Sequence, residues 1–370
     1  MKTKSLKGIF VSLTLALSVF FAGCSMDIEK PVYSWSLGSD KASFTVTSVK
    51  QNGVEQLTES YKYKETSYSP ELTNYLTYYF DSEEYTTVTF TIENYVAYGT
   101  DDDSDDIEPT AYNQWVAFLT TGNAEQWILR PDHYSNAKIN SLSNVYYEGN
   151  AATPNTYLAG TYGDTSLWNG KLTIKMVWNP LTEVASVHVS KTDDPTVYYY
   201  SSASKDAITK RVTLGSDNAT FTVESAKLSM KGSEQELLAT PLEQKNLAYW
   251  DFGNYLMTSI PGSEAFTLTY KLTEYTAGAE AYNNFVTILF DSDENKNWAL
   301  RADNWSNESF TNAPAYTGTT NSYATPDMYN CTGDVYDTVT VSFDGEATYT
   351  VKAWRSDDES VYYEASSKKQ

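Results

Sequence analysis

An internal duplication constrains what this chain can fold into more than any other feature of its sequence. The segment LGSDKASFTVTS at residues 37–48 returns as LGSDNATFTVES at residues 214–225. The segment WILRPDHYSN at residues 127–136 returns as WALRADNWSN at residues 298–307. Three further pairs of blocks follow the same order, at 87–95 and 267–275, 111–119 and 281–289, and 193–199 and 357–363. Five blocks in one order indicate that one module is present twice.

The repeated blocks have the pattern of half-buried β-strands, because apolar and polar residues alternate and Val, Thr, Tyr and Phe are frequent. Gly, Asn, Asp, Ser and Pro cluster between them. The sequence therefore predicts an all-β fold of two tandem antiparallel β-sandwiches of about 160 residues each. A jelly roll suits this length better than an immunoglobulin-like sandwich, which has nearer ~100 residues. The predicted modules cover residues 37–203 and 214–367, with a linker at residues 204–213.

The N-terminus has the organisation of an export signal. Lys2, Lys4 and Lys7 precede an apolar run at residues 9–21, which is shorter than the ~20 residues that a spanning helix needs. The segment FAGC ending at Cys24 resembles the bacterial lipobox, although Phe21 stands where leucine is usual. That resemblance implies a signal peptide at residues 1–23, acylation of Cys24 and a lipidated tether at residues 24–36. The alternative is an ordinary secretory signal that contains a cysteine.

The acidic segment after the cysteine, SMDIE at residues 25–29, resembles surface-export signals of some lipoproteins. We therefore expect an outer-membrane protein that faces outward. Three of the 26 Lys and Arg residues lie in the leader, so the mature chain carries 23 basic against 48 acidic residues, a net charge of −25. Such a chain repels polyanions, which excludes nucleic acid as a partner. The oligomeric state stays open.

The order of the blocks, with a Tyr-Asn strand followed by a Trp-x-Leu-Arg-x-Asp-x-aromatic strand, resembles concanavalin-like and laminin-G-like jelly rolls. These occur in lipoproteins and glycan-processing proteins of polysaccharide-degrading bacteria. The resemblance covers about a third of each module. It implies a jelly-roll fold and, more weakly, carbohydrate binding, because that superfamily contains lectins, carbohydrate-binding modules, hydrolases and other surface proteins.

The fourth block supplies candidate ligand-binding residues. Residues two apart on a strand share a face, which groups an arginine, an aspartate and an aromatic residue in each module. Guanidinium donors, a carboxylate and an aromatic ring are the groups that bind a sugar. An ion pair that braces the sandwich is the alternative interpretation. The candidates are Arg130, Asp132 and Tyr134, then Arg301, Asp303 and Trp305, with Asn113 and Asn283 from the preceding strand. Trp127 and Trp298 lie on the opposite face, where we expect the core.

Catalysis and metal binding have less support. Neither module has the Glu-x-Asp-x-x-Glu pattern of related glucanases, and the chain has only two histidines. We therefore expect a protein that is not an enzyme and has no cofactor. An acidic run in the first module, with Asp101, Asp103 and Asp105, is a candidate calcium site, although such runs are usually solvated loops.

The sequence thus predicts a surface-anchored lipoprotein that binds carbohydrate without catalysis. Its expected partners are a glycan and, through the lipid, a membrane. An adhesin or structural surface lipoprotein that binds protein is the alternative, followed by an enzyme related to glycoside hydrolases.

Overall fold

A computed structural model describes most of the chain after residue 30. The described residues are 31–39, 42–63, 75–97, 116–122, 126–129, 146–148, 169–193, 198–204, 208–215, 219–244, 256–262, 264–277, 286–291, 296–301, 320–323, 337–360 and 362–368. The part from Pro31 to Gln370 is one compact unit. In the described part all regular elements are strands, and no helix there is long and apolar enough to cross a bilayer.

The first repeat contributes twelve strands. They are β1 (Val32–Gly38), β2 (Ala42–Gln51), β3 (Val54–Glu55), β4 (Tyr61–Tyr63), β5 (Leu76–Asp81), β6 (Thr86–Ala97), β7 (Val116–Thr120), β8 (Gln126–Leu129), β9 (Tyr146–Glu148), β10 (Gly170–Asn179), β11 (Val184–Lys191) and β12 (Tyr198–Ser204).

The second repeat contributes twelve counterparts in the same order. They are β13 (Ile208–Gly215), β14 (Ala219–Met230), β15 (Ser233–Glu236), β16 (Leu242–Gln244), β17 (Leu256–Pro261), β18 (Phe266–Ala277), β19 (Val286–Asp291), β20 (Lys296–Arg301), β21 (Thr320–Tyr323), β22 (Thr338–Phe343), β23 (Thr348–Trp354) and β24 (Tyr362–Lys368).

Each repeat forms a small and a large antiparallel sheet with the same strand order. The small sheet of the first repeat has the order β5-β1-β7-β8, and the large sheet has the order β3-β2-β6-β10-β11-β12-β9, with β4 also paired to β2. In the second repeat every position holds the strand twelve places later. The prediction of an all-β fold of antiparallel sandwiches is therefore confirmed.

The duplication extends to irregularities of the backbone. The turns between β2 and β3 and between β14 and β15 are left-handed at both central residues, with φ of 49° and 81° at Asn52 and Gly53 and of 52° and 76° at Lys231 and Gly232. Positive φ at both central residues is typical of the type I′ turn, whose twist matches that of the two strands it joins in a hairpin. β6 and β18 each contain one further residue with positive φ, Asn94 at 53° and Glu274 at 52°.

The core of the first sandwich lies between its two sheets. Trp127 on the small sheet meets Trp178 on the large sheet with ring centroids 6.1 Å apart and planes at 71°. Trp127 and Leu129 are 1% and 0% exposed, so the expectation that this face of the strand points into the core is confirmed for the first repeat. Trp298 lies in β20, and for its side chain the expectation stays a prediction.

Two predicted boundaries differ from the strands. The predicted tether at residues 24–36 includes the start of β1 at Val32, and the predicted linker at residues 204–213 includes most of β13. The predicted boundaries lie where the repeated sequence begins, at Leu37 and Leu214. The strands that contain these residues begin several residues earlier, because strand pairing extends beyond the repeated sequence. Val212 and Leu214 are both fully buried in the second core.

The two repeats pack on each other through a polar contact. The outer face of β11 and β12 lies against the outer face of β13 and β17. The Tyr200 hydroxyl and Ser259 Oγ are 2.5 Å apart, and Ser259 Oγ donates to Ser202 Oγ at 3.2 Å. The Arg211 guanidinium lies 5.5 Å from the centroid of the Tyr200 ring. All four residues are buried, so the two sandwiches pack directly against each other and belong to one compact unit.

Candidate ligand-binding cleft

The site residues predicted from sequence lie almost entirely outside the described residues. This applies to Arg130, Asp132, Tyr134, Asp303, Trp305, Asn113, Asn283, Cys24, Asp101, Asp103 and Asp105. Arg301 is the last residue of β20 and pairs with Val286 in β19, but its side chain is not described. These assignments therefore stay predictions. In the described part no group of three His, Cys, Asp or Glu residues is placed to hold a metal ion.

A different site emerges where one end of the first sandwich meets the β14–β15 hairpin of the second. A cleft of about 480 Å³ lies there. This volume is within the range of small-molecule sites, which form preferentially between domains. Tyr33 comes from β1, Glu83 and Tyr85 from the β5–β6 turn, Glu183 from the β10–β11 turn and Gln235 from β15.

One wall of the cleft is a cluster of aromatic rings. The Tyr33 ring is half-buried and lies 5.1 Å from the Trp178 ring, at an interplanar angle of 56°. The rings of Tyr33 and Phe80 meet edge-to-face, with centroids 6.2 Å apart. The Trp178 indole Nε1 donates to the carbonyl oxygen of Ser82 at 2.7 Å, which holds the β5–β6 turn beside these rings. Tyr33 therefore lines the cleft with two aromatic neighbours.

Tyr85 forms the wall on the side of the second repeat. Its ring packs against the second hydrophobic core, although it belongs to the first repeat. Burial raises the pKa of the Tyr85 hydroxyl, and the nearby Tyr200 and Glu236 raise the pKa further. The hydroxyl therefore stays protonated at neutral pH, so it remains able to donate a hydrogen bond.

Polar groups line the rest of the cleft. Glu83 and Glu183 are exposed on the two turns, and Glu183 has a left-handed backbone with φ of 53°. Glu234 is paired with Lys227 at 3.1 Å. Gln235 Nε2 is buried and makes no hydrogen bond within the described structure. Leaving such a donor unpaired costs about 1–3 kcal/mol, which a ligand acceptor would recover.

The second repeat has a lysine where the first repeat has Tyr33. Lys210 and Tyr33 each lie four residues before the repeated LGSD segment, and they are therefore counterparts. The Lys210 ammonium group donates to the carbonyl oxygen of Gly262 and lies 4.5 Å from the centroid of the Phe343 ring. Phe343 is the counterpart of Trp178 in strand register. A lysine thus secures the turn that tryptophan secures in the first repeat, and it stands in the place of the Tyr33 ring.

Sequence reasoning did not find this cleft. Its residues come from positions 33 to 235, in turns and strand ends outside the repeated blocks. The one available signal was divergence, because Tyr33 and Trp35 stand where the second repeat has Lys210 and Val212.

Comparison with known proteins does not identify a family. No protein-family model matches the chain, and no curated protein matches it. The chain is similar to a solved structure of two C2 domains of an extended synaptotagmin, at 10% identity and a TM-score of 0.12, over 79% of this chain and 86% of that one. A TM-score this low carries no argument about fold or function.

Proposed function

We propose that this chain is a surface-anchored lipoprotein that binds a carbohydrate without catalysis, and that the cleft between the repeats is a binding site for it. One observation carries the proposal. The cleft combines the Tyr33 ring, which has two aromatic neighbours, with the carboxylates of Glu83 and Glu183 and the Nε2 group of Gln235. Sugars are one class of ligand that uses an aromatic face and several polar groups together.

The chemistry of each group fits a pyranose. The C–H face of the ring packs on the face of an aromatic side chain, while the hydroxyl groups donate to carboxylates and accept from amides. Hydrogen bonds to carboxylates are stronger than those to neutral acceptors. A ligand with many hydroxyl donors and no negative charge is therefore favoured in a cleft with exposed glutamates.

Binding is favoured over hydrolysis by the exposure of these glutamates. A glycosidase needs one carboxyl group that a desolvated site keeps protonated, beside a second that stays ionised. Glu83 and Glu183 both lie on solvent-exposed turns. They are placed to accept hydrogen bonds and not to act as a general acid.

Removing the negative charge of the cleft tests this site. In the soluble chain of residues 25–370, the double variant Glu83→Gln with Glu183→Gln is expected to bind neutral polysaccharide about tenfold more weakly. The reason is that a neutral acceptor forms a hydrogen bond about half as strong as a carboxylate does, and ~1.4 kcal/mol corresponds to a factor of ten. Affinity electrophoresis in gels containing xylan, β-glucan, mannan or starch measures the change.

The matched control is Glu59→Gln with Glu243→Gln, which removes the same charge at two exposed positions away from the cleft. Equal binding by the cleft variant and the wild type would exclude the cleft as the site. If the wild-type chain bound none of a panel of plant, algal and host glycans, carbohydrate binding itself would be wrong, and the adhesin alternative would take its place.

The lipid anchor is tested at Cys24. The substitution Cys24→Ser is expected to release soluble protein or to leave an unprocessed precursor, because the acylated thiol is the proposed membrane attachment. Immunoblotting of membrane and soluble fractions distinguishes these products from the wild type. Brief protease treatment of intact cells tests the orientation. Survival of the protein until the cells are broken would show that it faces inward and would contradict capture of an external glycan.

A further inference from the structure

The outer face of the large sheet in the second repeat carries a pair of aromatic residues. Trp354 at the end of β23 and Tyr362 at the start of β24 are directly opposite each other in the antiparallel register. Lys352 and Glu364 form the next pair on the same face. We call these four residues the sheet platform. All four side chains are half-exposed, while Val351 and Ala353 between them point into the core.

The platform is ordered by contacts among its own residues. The Lys352 ammonium group lies 5.4 Å from the centroid of the Trp354 ring and 5.0 Å from that of Tyr362. A cation this close to two aromatic faces is attracted to both, which keeps the lysine beside the rings. Neighbouring strands are about 4.8 Å apart, so the two aromatic side chains are direct cross-strand neighbours.

The chain directly after β23 is also held by hydrogen bonds. Asp337 accepts a hydrogen bond from the backbone N–H of Ser356 at 2.9 Å and a second bond from its hydroxyl. Arg355 donates through Nε to Asp357 at 2.9 Å and through a second nitrogen to the other carboxylate oxygen. A surface held in place before binding loses less entropy when a ligand arrives.

Comparison of the repeats indicates that this face is used for contact. In the first repeat the equivalent face is covered by the second repeat along β12, where Tyr200, the counterpart of Glu364, is only 3% exposed. His188 is the counterpart of Lys352, and Ser190 is the counterpart of Trp354. One copy of the face therefore joins the repeats through β12, whereas the other copy is half-exposed on both strands and carries a tryptophan.

We infer that the sheet platform is a second carbohydrate-binding surface, suited to a flat run of neutral sugar residues. This inference takes its ligand class from the proposed function. Two adjacent rings offer stacking faces, the lysine offers donors and Glu364 offers an acceptor. None of the four side chains is aliphatic, which disfavours an apolar protein partner, and the net charge of the chain disfavours a polyanion.

The two surfaces are chemically alike and belong to one compact body. A polysaccharide long enough to reach both would be held more tightly than by either one, because the second contact is intramolecular. The platform is therefore expected to matter more for polymers than for short oligosaccharides.

The double variant Trp354→Ala with Tyr362→Ala tests the inference in the soluble chain of residues 25–370. We expect about tenfold weaker retention in gels of the neutral polysaccharide that the wild type binds, since the variant loses both aromatic faces of the platform. Tyr79→Ala is the matched control, because Tyr79 is an aromatic residue 69% exposed on a strand of the first repeat. The control is expected to bind as the wild type does.

Unfolding temperatures of all variants show whether a loss of binding reflects a loss of fold. If the double variant does not fold, the single variant Trp354→Ser replaces it, because the first repeat carries Ser190 at this position on the same scaffold. Unchanged retention of a folded platform variant, together with weakened retention of the cleft variant, would overturn the platform while leaving the proposed function intact. Failure of the wild type to bind any polysaccharide would overturn both.

Discussion

Replacing Trp127 with alanine is expected to lower the free energy of unfolding by about 3–5 kcal/mol, the usual cost of truncating a buried aromatic residue. The side chain is 1% exposed, and its ring meets Trp178 between the two sheets of the first sandwich. The loss would leave a cavity against the same tryptophan that supports the Tyr33 wall of the cleft. Urea unfolding followed by circular dichroism measures the effect as a lower midpoint.

Tyr79→Ala is the control for this measurement too, because exposed substitutions change stability by no more than about 0.5 kcal/mol. The Tyr79 ring is 69% exposed, and its carbonyl, which accepts from Gln51, is unaffected by the change. Similar unfolding midpoints for Trp127→Ala and Tyr79→Ala would show that the inner and outer faces of the small sheet have been exchanged.

Acidification from pH 7 to pH 5 is expected to cost the protein about 2 kcal/mol of stability through His188. Its ring lies where β11 and β12 pack on the second repeat, 6.4 Å from the ring of Tyr200, with Lys175 opposite it on β10. Arg211 approaches the same tyrosine from β13. Burial lowers the pKa of His188 to about 3, and the charge of Lys175 lowers it further in the same direction.

The sign follows from proton binding. The unfolded chain takes up a proton at His188 near pH 6.5, whereas the folded chain does so only near pH 3. Between these values the unfolded state binds more protons, so stability falls as the pH falls, by at most ~1.4 kcal/mol per pH unit. The stability that depends on a neutral His188 is fully present above about pH 6.5 and is lost as the pH falls below that value. Carboxylates with lowered pKa values, such as Asp344 at about 2, act in the same direction but at lower pH.

The substitution His188→Gln tests this expectation, since glutamine is polar and does not titrate. Urea midpoints measured between pH 5 and pH 7 should change less with pH for this variant than for the wild type. His133→Gln is the comparison, because His133 is the only other histidine in the chain. Parallel pH profiles for His188→Gln and the wild type would mean that His188 titrates normally and is not desolvated at the contact between the repeats.

Much of the fold was accessible from the sequence because strands have a simple period. Alternation identified the blocks as strands and placed Trp127 and Leu129 on the buried face. The duplication predicted two copies of one sandwich, and both copies have the same strand order. These properties depend on contacts that each strand makes with its own neighbours, so they are encoded locally.

The candidate sites depend on how distant surfaces of the chain pack together, which the local sequence pattern does not show. The two-residue periodicity of a strand shows which side chains share a face, but it does not show which other surface covers that face. Tyr200 and Glu364 occupy equivalent positions, yet the first is buried where the repeats meet and the second is half-exposed on a sheet surface.

The sequence by itself therefore determined the class of the fold, its duplication and the direction of its core residues. Only the tertiary structure decided how one repeat docks on the other, and with it the cleft that joins Tyr33 to Gln235 across about two hundred residues of chain. The physical reason is that docking depends on the complementarity of two whole surfaces. Lys210 illustrates this, since a lysine in a segment that reads as a polar linker is 1% exposed once its ammonium group reaches a backbone carbonyl.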